Sequence, residues 1–157
     1  MNLKLSSSIY LVKLLQPRLE EAEMIDGLKH ELNGHLVLVV DDDFRIRFYV
    51  KTILQSAEFR VLEAGDGLEA LEVFRASRDR IALVITDVRM PRMSGRDLAE
   101  HLRLDCPGIP LIFVSGEPAP DDTNDSKNGF LFIEKPFAPK TLLEAARRLF
   151  DSTPVTC

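Results

Sequence analysis

Three consecutive carboxylates, Asp41, Asp42 and Asp43, close an apolar run, Leu36-Val37-Leu38-Val39-Val40. A second run, Ile81 to Thr86, ends on Asp87. A third, Pro110 to Val114, ends on Ser115, and a fourth, Phe130 to Ile133, leads through Glu134 to Lys135-Pro136. Brought to one place, these groups suit phosphoryl chemistry. Clustered carboxylates repel one another unless a cation lies among them. Mg²⁺, a hard ion with oxygen ligands, takes one or two carboxylates together with waters and phosphate oxygens. A hydroxyl and an ammonium alongside can donate to phosphate oxygens.

The elements that must position these groups follow from the same runs. Short apolar runs bounded by turn residues read as buried parallel strands. In an open parallel sheet, ligands bind beyond the carboxyl ends of the strands. The strands are expected at 36–40, 59–63, 81–86, 110–114 and 130–133, the second more polar and suited to an edge. Helices are expected between them. At 44–57, Ile46, Val50, Ile53, Leu54 and Ala57 share a face, and Asp43 stands at the N-cap, a role that fits it better than metal binding. Asp66-Gly67-Leu68-Glu69 reads as a capping box opening a helix to about Ala76. Ser94-Gly95-Arg96-Asp97 caps a helix to Leu104, which Cys106-Pro107-Gly108 breaks. Pro139 opens a last helix, 139–150, with Leu142, Leu143, Ala146, Leu149 and Phe150 as its buried stripe. Alternating strands and helices with right-handed crossovers give an α/β doubly wound sheet covered on both faces.

The motifs VVDDD (39–43), TDVRMPRMSG (86–95), FVSG (113–116) and EKPF (134–137), in this order, resemble the receiver domain of two-component response regulators. The resemblance covers about residues 35 to 151. It implies a flavodoxin-like, five-stranded parallel sheet in the order 2-1-3-4-5. It implies that Asp87 accepts a phosphoryl group from a histidine kinase or phosphotransfer protein, and that Asp42 binds Mg²⁺ directly and Asp41 through water. The backbone carbonyl of Arg89 is the implied third protein ligand beside Asp87. Ser115 would bond a phosphoryl oxygen, Lys135 would pair with the phosphate across a cis bond to Pro136, and Phe132 would be an aromatic switch that moves with Ser115. Phe132 reads equally well as core. Arg89 and Glu117 flank the implied route of water and can pair across the site. The chain departs from the family between Ser115 and Lys135. Pro118 to Asn128 has almost no apolar residue, so a loop or one short turn replaces the usual fourth helix, and this stretch is expected to be the most mobile part of the domain.

The 157 residues allow one receiver, 35–151, a helical extension, 1–34, and a tail, 152–157. In the extension, Leu15, Leu19, Ala22, Ile25, Leu28 and Leu32 recur at helical spacing, so a helix at about 17–32 with an apolar stripe is expected. A lone helix of that length is marginal in water. The stripe therefore packs on a second copy, giving a homodimer, or on its own receiver. Net charge is −5, which gives no electrostatic footprint for nucleic acid. No run approaches the roughly 18 apolar residues of a membrane span. Cys106 and Cys157 are too few and too irregular for a disulfide framework or a zinc site, which fits a reduced, cytoplasmic setting. His30, His35 and His101 fit no ligand spacing and read as surface residues. The expected function is a phosphoacceptor response regulator signalling to a protein partner, and not a turnover enzyme. The alternatives are a constitutive scaffold that docks through the amino-terminal helix, or a phosphate-sink receiver in a phosphorelay.

Overall fold

The computed structural model describes residues 34–118, 129–152 and 157. The helix expected at 17–32 lies outside the described residues, as does all but Pro118 of the loop expected at 118–128. The described elements run β1 (Leu36–Val40), α1 (Phe44–Ser56), β2 (Arg60–Ala64), α2 (Gly67–Ser77), β3 (Ile81–Asp87), α3 (Gly95–Asp105), β4 (Leu111–Ser115), β5 (Phe130–Glu134) and α4 (Pro139–Ser152). The five strands form one parallel sheet in the order β2-β1-β3-β4-β5, as expected.

Strand alternation splits the core in two. Val37, Val39, Leu83, Ile85, Ile112, Val114, Leu131 and Ile133 face α1 and α4. Leu38, Val40, Val84, Leu111 and Phe113 face α2 and α3, with Phe74 fully buried among them. All five residues of β1 and of β4 are buried, and all but the terminal Ser115 are apolar. β2 is paired on one side only and keeps an exposed and partly buried pattern, the signature of an edge.

The caps set where each helix begins. Asp43 accepts from the Arg45 amide and starts α1. Asp66 accepts from the amides of Leu68 and Glu69 and starts α2, but Glu69 does not close the expected box. Its carboxylate reaches one residue further back and accepts from the Gly65 amide at 2.6 Å. The complete box is at α3, where Ser94 and Asp97 satisfy each other's amides. Removing such a cap costs about 1 kcal/mol. Ser94→Ala is therefore expected to lower the urea midpoint at unchanged slope, and an unaltered midpoint would deny the cap that role.

One expectation is corrected. Cys106 and Cys157 form a disulfide, with Cα atoms 4.4 Å apart across a separation of 51 residues. Cys106 is buried at the C-cap of α3, and Cys157 returns to it from beyond α4. Spacing alone gives no sign of this, because 51 residues separate the two cysteines and Cys157 lies beyond the last helix. Of the expected surface histidines, the two that are described are exposed. His35 stacks on Phe150, and His101 bonds the Asp97 carbonyl. No described helix is long and apolar enough to cross a membrane.

Candidate functional site

Parallel pairing aligns the carboxyl ends of β1, β3, β4 and β5, so their last residues share one edge. The register sets Val40 beside Thr86, Asp87 beside Val114, and Ser115 beside Glu134. Asp41 and Asp42 follow β1 directly, Asp87 ends β3, Ser115 ends β4, and Lys135 follows β5. Carboxylate oxygens of Asp41, Asp42 and Asp87 all lie within 4.8 Å of one another. The Lys135 ammonium donates to Asp41 Oδ2 at 3.0 Å and to Asp87 Oδ1 at 3.3 Å.

The site is graded in exposure. Asp41 is buried and Asp42 exposed, and the Asp87 side chain keeps 12% of its surface. Burial pushes the Asp87 carboxyl above the usual range; Lys135 opposes this, and the charges of Asp41 and Asp42 add to it. Burial also works against the Lys135 ammonium, but its bonds to Asp41 and Asp87 outweigh that and the net direction is upward. A pocket with three acids and one base nearby is short of positive charge.

Backbone bonds hold the walls. The Lys135 amide donates to the Ser115 carbonyl at 2.7 Å, which locks β5's exit to β4. The Lys135–Pro136 peptide is cis, as the resemblance implies. The Glu117 amide donates to Ser115 Oγ at 3.0 Å, so the serine proton remains available to another acceptor. Beyond Asp87, the Gly95 amide donates to the Val88 carbonyl, and Arg92 forms an ion pair with Asp66. Arg89 and Glu117 form an exposed ion pair 28 residues apart in sequence.

Phe132 is not part of the acidic cluster. It pairs in register with Phe113, two residues before Ser115, and the two rings stack with centroids 4.8 Å apart. Strand alternation puts Phe113 and Ser115 on the same side of β4. Arg96 of α3 lies over the Phe132 ring at 5.6 Å. Arg47, which the motifs do not single out, also reaches the acidic turn. Its guanidinium donates to the Asp41 carbonyl at 2.7 Å and lies 3.5 Å from that of Asp42. Nothing in a helical heptad distinguishes this arginine from a solvated one. The only signal was its place one turn inside a helix that starts beside the acidic turn.

The model of the response regulator receiver domain matches residues 37–147. The chain belongs to the response regulator receiver family. Its receiver is 37% identical over 119 residues to the sensor kinase CckA of Brucella abortus, covering 73% of this chain and 12% of that kinase. The chain spans about half the length of the transcriptional regulators it matches, among them one of Cyanophora paradoxa. Among solved structures, the chemotaxis protein CheY4 of Vibrio cholerae is similar with a TM-score of 0.66 and 33% identity, over 74% of this chain and 98% of that one. The response regulator TrrA of Thermotoga maritima, solved with Mg²⁺ and BeF, has a TM-score of 0.65 and 29% identity, over 73% of this chain and 98% of that one. The acidic cluster of this receiver occupies the strand edge on which the sequence motifs converge.

Proposed function

We propose that this receiver accepts a phosphoryl group on Asp87 from a histidine kinase or phosphotransfer protein and signals to a protein partner through the change that follows. The observation carrying this reading is the meeting of Asp41, Asp42 and Asp87 with the Lys135 ammonium at one strand edge. In the transfer, an Asp87 carboxylate oxygen attacks phosphorus and the bond from phosphorus to the donor imidazole nitrogen breaks. The bonding pair returns to that nitrogen. Positioning and charge neutralisation supply most of the catalysis in such a step. Lys135 already bonds the nucleophile, and it is placed to neutralise an oxygen of the incoming group. The Ser115 proton can bond a second oxygen.

The donor set fits Mg²⁺, since hard carboxylate oxygens cluster without enough cationic partners. Asp42, Asp87 and the Arg89 carbonyl would hold it, with Asp41 acting through water. When bound, it supplies positive charge that offsets the nucleophile and the phosphoryl oxygens. The two adjacent acids are not equivalent: Asp41 is buried and engaged with Lys135, whereas Asp42 is exposed. Asp42→Asn is therefore expected to weaken Mg²⁺ more than Asp41→Asn. Equal affinity in wild type and Asp42→Asn by calorimetric titration would reject Asp42 as a ligand.

Phosphorylation turns a singly charged carboxylate into an acyl phosphate of about −2, a net gain of about −1, and adds strong acceptors. Movement of Ser115 toward that charge would open space next to Phe113 and Phe132, whose stacked rings are the packed element able to respond. This is a shift between two packings of one face. The experiment that tests the proposal is phosphotransfer to the wild-type chain and to Asp87→Asn from purified kinases and from acetyl phosphate.

A further inference from the structure

We infer that Arg47 is a positioning residue for the acidic turn: its guanidinium fixes the backbone that aims Asp41 and Asp42 at Asp87. This rests on the reading of the cluster as a Mg²⁺-dependent phosphoacceptor site.

The turn from β1 to α1 is only three residues long, and its conformation decides where two carboxylates point. Asp41 is held at four atoms. Its amide donates to the Ala64 carbonyl, its Oδ1 accepts from the Asp43 amide at 2.9 Å, and its Oδ2 accepts from Lys135. The fourth hold is the bond from Arg47 Nη1 to its carbonyl, at 2.7 Å. The same nitrogen lies 3.5 Å from the Asp42 carbonyl. Together these two contacts orient the peptide planes on both sides of the Asp42 Cα, whose own side chain is exposed. A charged donor makes a bond about twice as strong as a neutral one.

Arg47 is itself braced from the edge strand. Its Nε lies 3.9 Å from Glu63 Oε1, and Lys51 donates to Glu63 Oε2 at 2.5 Å. The arginine side chain keeps only 21% of its surface. The chain Lys51–Glu63–Arg47 therefore ties α1 and β2 to the carbonyl side of the turn, while Lys135 ties the carboxylate side. The two cations play different parts. Lys135 meets the carboxylates, so its charge enters the chemistry. Arg47 meets carbonyl oxygens, so its geometry is what matters.

This distinction has a sign. A guanidinium near the cluster repels a cation, so deleting its charge alone would tighten Mg²⁺ binding. Deleting a positioning contact would weaken it, because changes to groups that orient ligands typically cost 10- to 100-fold in metal affinity. The test titrates Mg²⁺ calorimetrically into full-length wild type, Arg47→Met, Arg47→Lys, Glu63→Gln and Lys51→Met, with a melting curve for each. Arg47→Met keeps the apolar stem and is expected to bind about tenfold more weakly. Arg47→Lys retains the charge on a single nitrogen without the guanidinium fork and is expected to fall between Arg47→Met and wild type. Glu63→Gln shifts affinity in the same direction by less, and Lys51→Met, one step further from the turn along the same chain, by less again.

A second readout is free of metal: hydrogen exchange of the Asp43 amide, which is bonded to Asp41, is expected to speed up in Arg47→Met. Unchanged or tighter Mg²⁺ binding in folded Arg47→Met, with unaltered exchange at Asp43, overturns the inference. If Arg47→Met does not fold, wild-type affinity in both Arg47→Lys and Glu63→Gln overturns it. A wild type that takes up no Mg²⁺ would instead sink the reading of the site, and faster Asp43 exchange in Arg47→Met would still uphold the positioning of the turn.

Discussion

Incubated with acetyl phosphate and Mg²⁺, the wild-type chain is expected to gain one phosphoryl group and Asp87→Asn none. Intact mass reads both outcomes directly. The expectation of a single site follows from the division of labour in the pocket. Asp87 ends the central strand, where the backbone is fixed by neighbours on both sides. Asp41 is buried, and each of its oxygens already accepts a bond, one from the Asp43 amide and one from Lys135, so it is less open to an incoming group than Asp87. Asp42 is exposed and bears no described ammonium partner that would neutralise an incoming group. Lys135→Met tests the electrostatic part of the same argument. Removing one preorganised charge from a developing anion typically costs 10²–10³-fold in rate, and labelling of Lys135→Met is expected to slow by about 10²-fold with the site unchanged. Phosphoryl incorporation into Asp87→Asn at the wild-type rate, or mapping of the label to Asp42, would overturn the assignment.

The second large effect is expected at a residue with no chemistry of its own. Gly95→Ala is expected to destabilise the fold by about 2–3 kcal/mol, because overpacking that moves backbone costs this much. A Cβ built on Gly95 overlaps the carbonyl oxygen of Asp87 and sits 3.0 Å from its carbonyl carbon and from Thr86 Oγ1. None of these atoms is the far end of a flexible side chain. Relief requires the first turn of α3 to withdraw, which breaks the bond from the Gly95 amide to the Val88 carbonyl and shifts the loop leaving Asp87. The consequence is expected to reach function, since Asp87, the proposed nucleophile, moves with its backbone. Gly116→Ala is the control. A Cβ there meets nothing within 4 Å, and its φ is one that other residues adopt, so stability is expected within about 0.5 kcal/mol of wild type. For a chain of this size the first change is a fall in Tm of roughly 4–12 °C. Equal melting of Gly95→Ala and wild type would show that the helix terminus adapts freely.

Much of this receiver was legible in the order of its residues. The apolar runs at 36–40, 81–86 and 110–114 lie in strands because a segment buried on both faces has little room for polar side chains, and the run at 130–133 forms the apolar edge strand beside them. The acids, Ser115 and Lys135 were legible as one site because parallel strands bring their carboxyl ends to a common edge. Caps were legible where a side chain bonds its own local backbone, as at Asp43 and Ser94. What the sequence left open were several contacts made by side chains reaching across the fold. Glu69 chose the Gly65 amide over that of Asp66. Cys106 meets Cys157 across 51 residues of sequence. Arg47 carries the residue type of any solvated helix position, and only the packing of α1 against β2 turned its guanidinium onto the Asp41 carbonyl. Gly95 could be read as the start of a helix; its closeness to the Asp87 carbonyl is set by how α3 seats on the sheet. Local chemistry is written in neighbouring residues, whereas distances between segments far apart in the chain are decided only when the core closes.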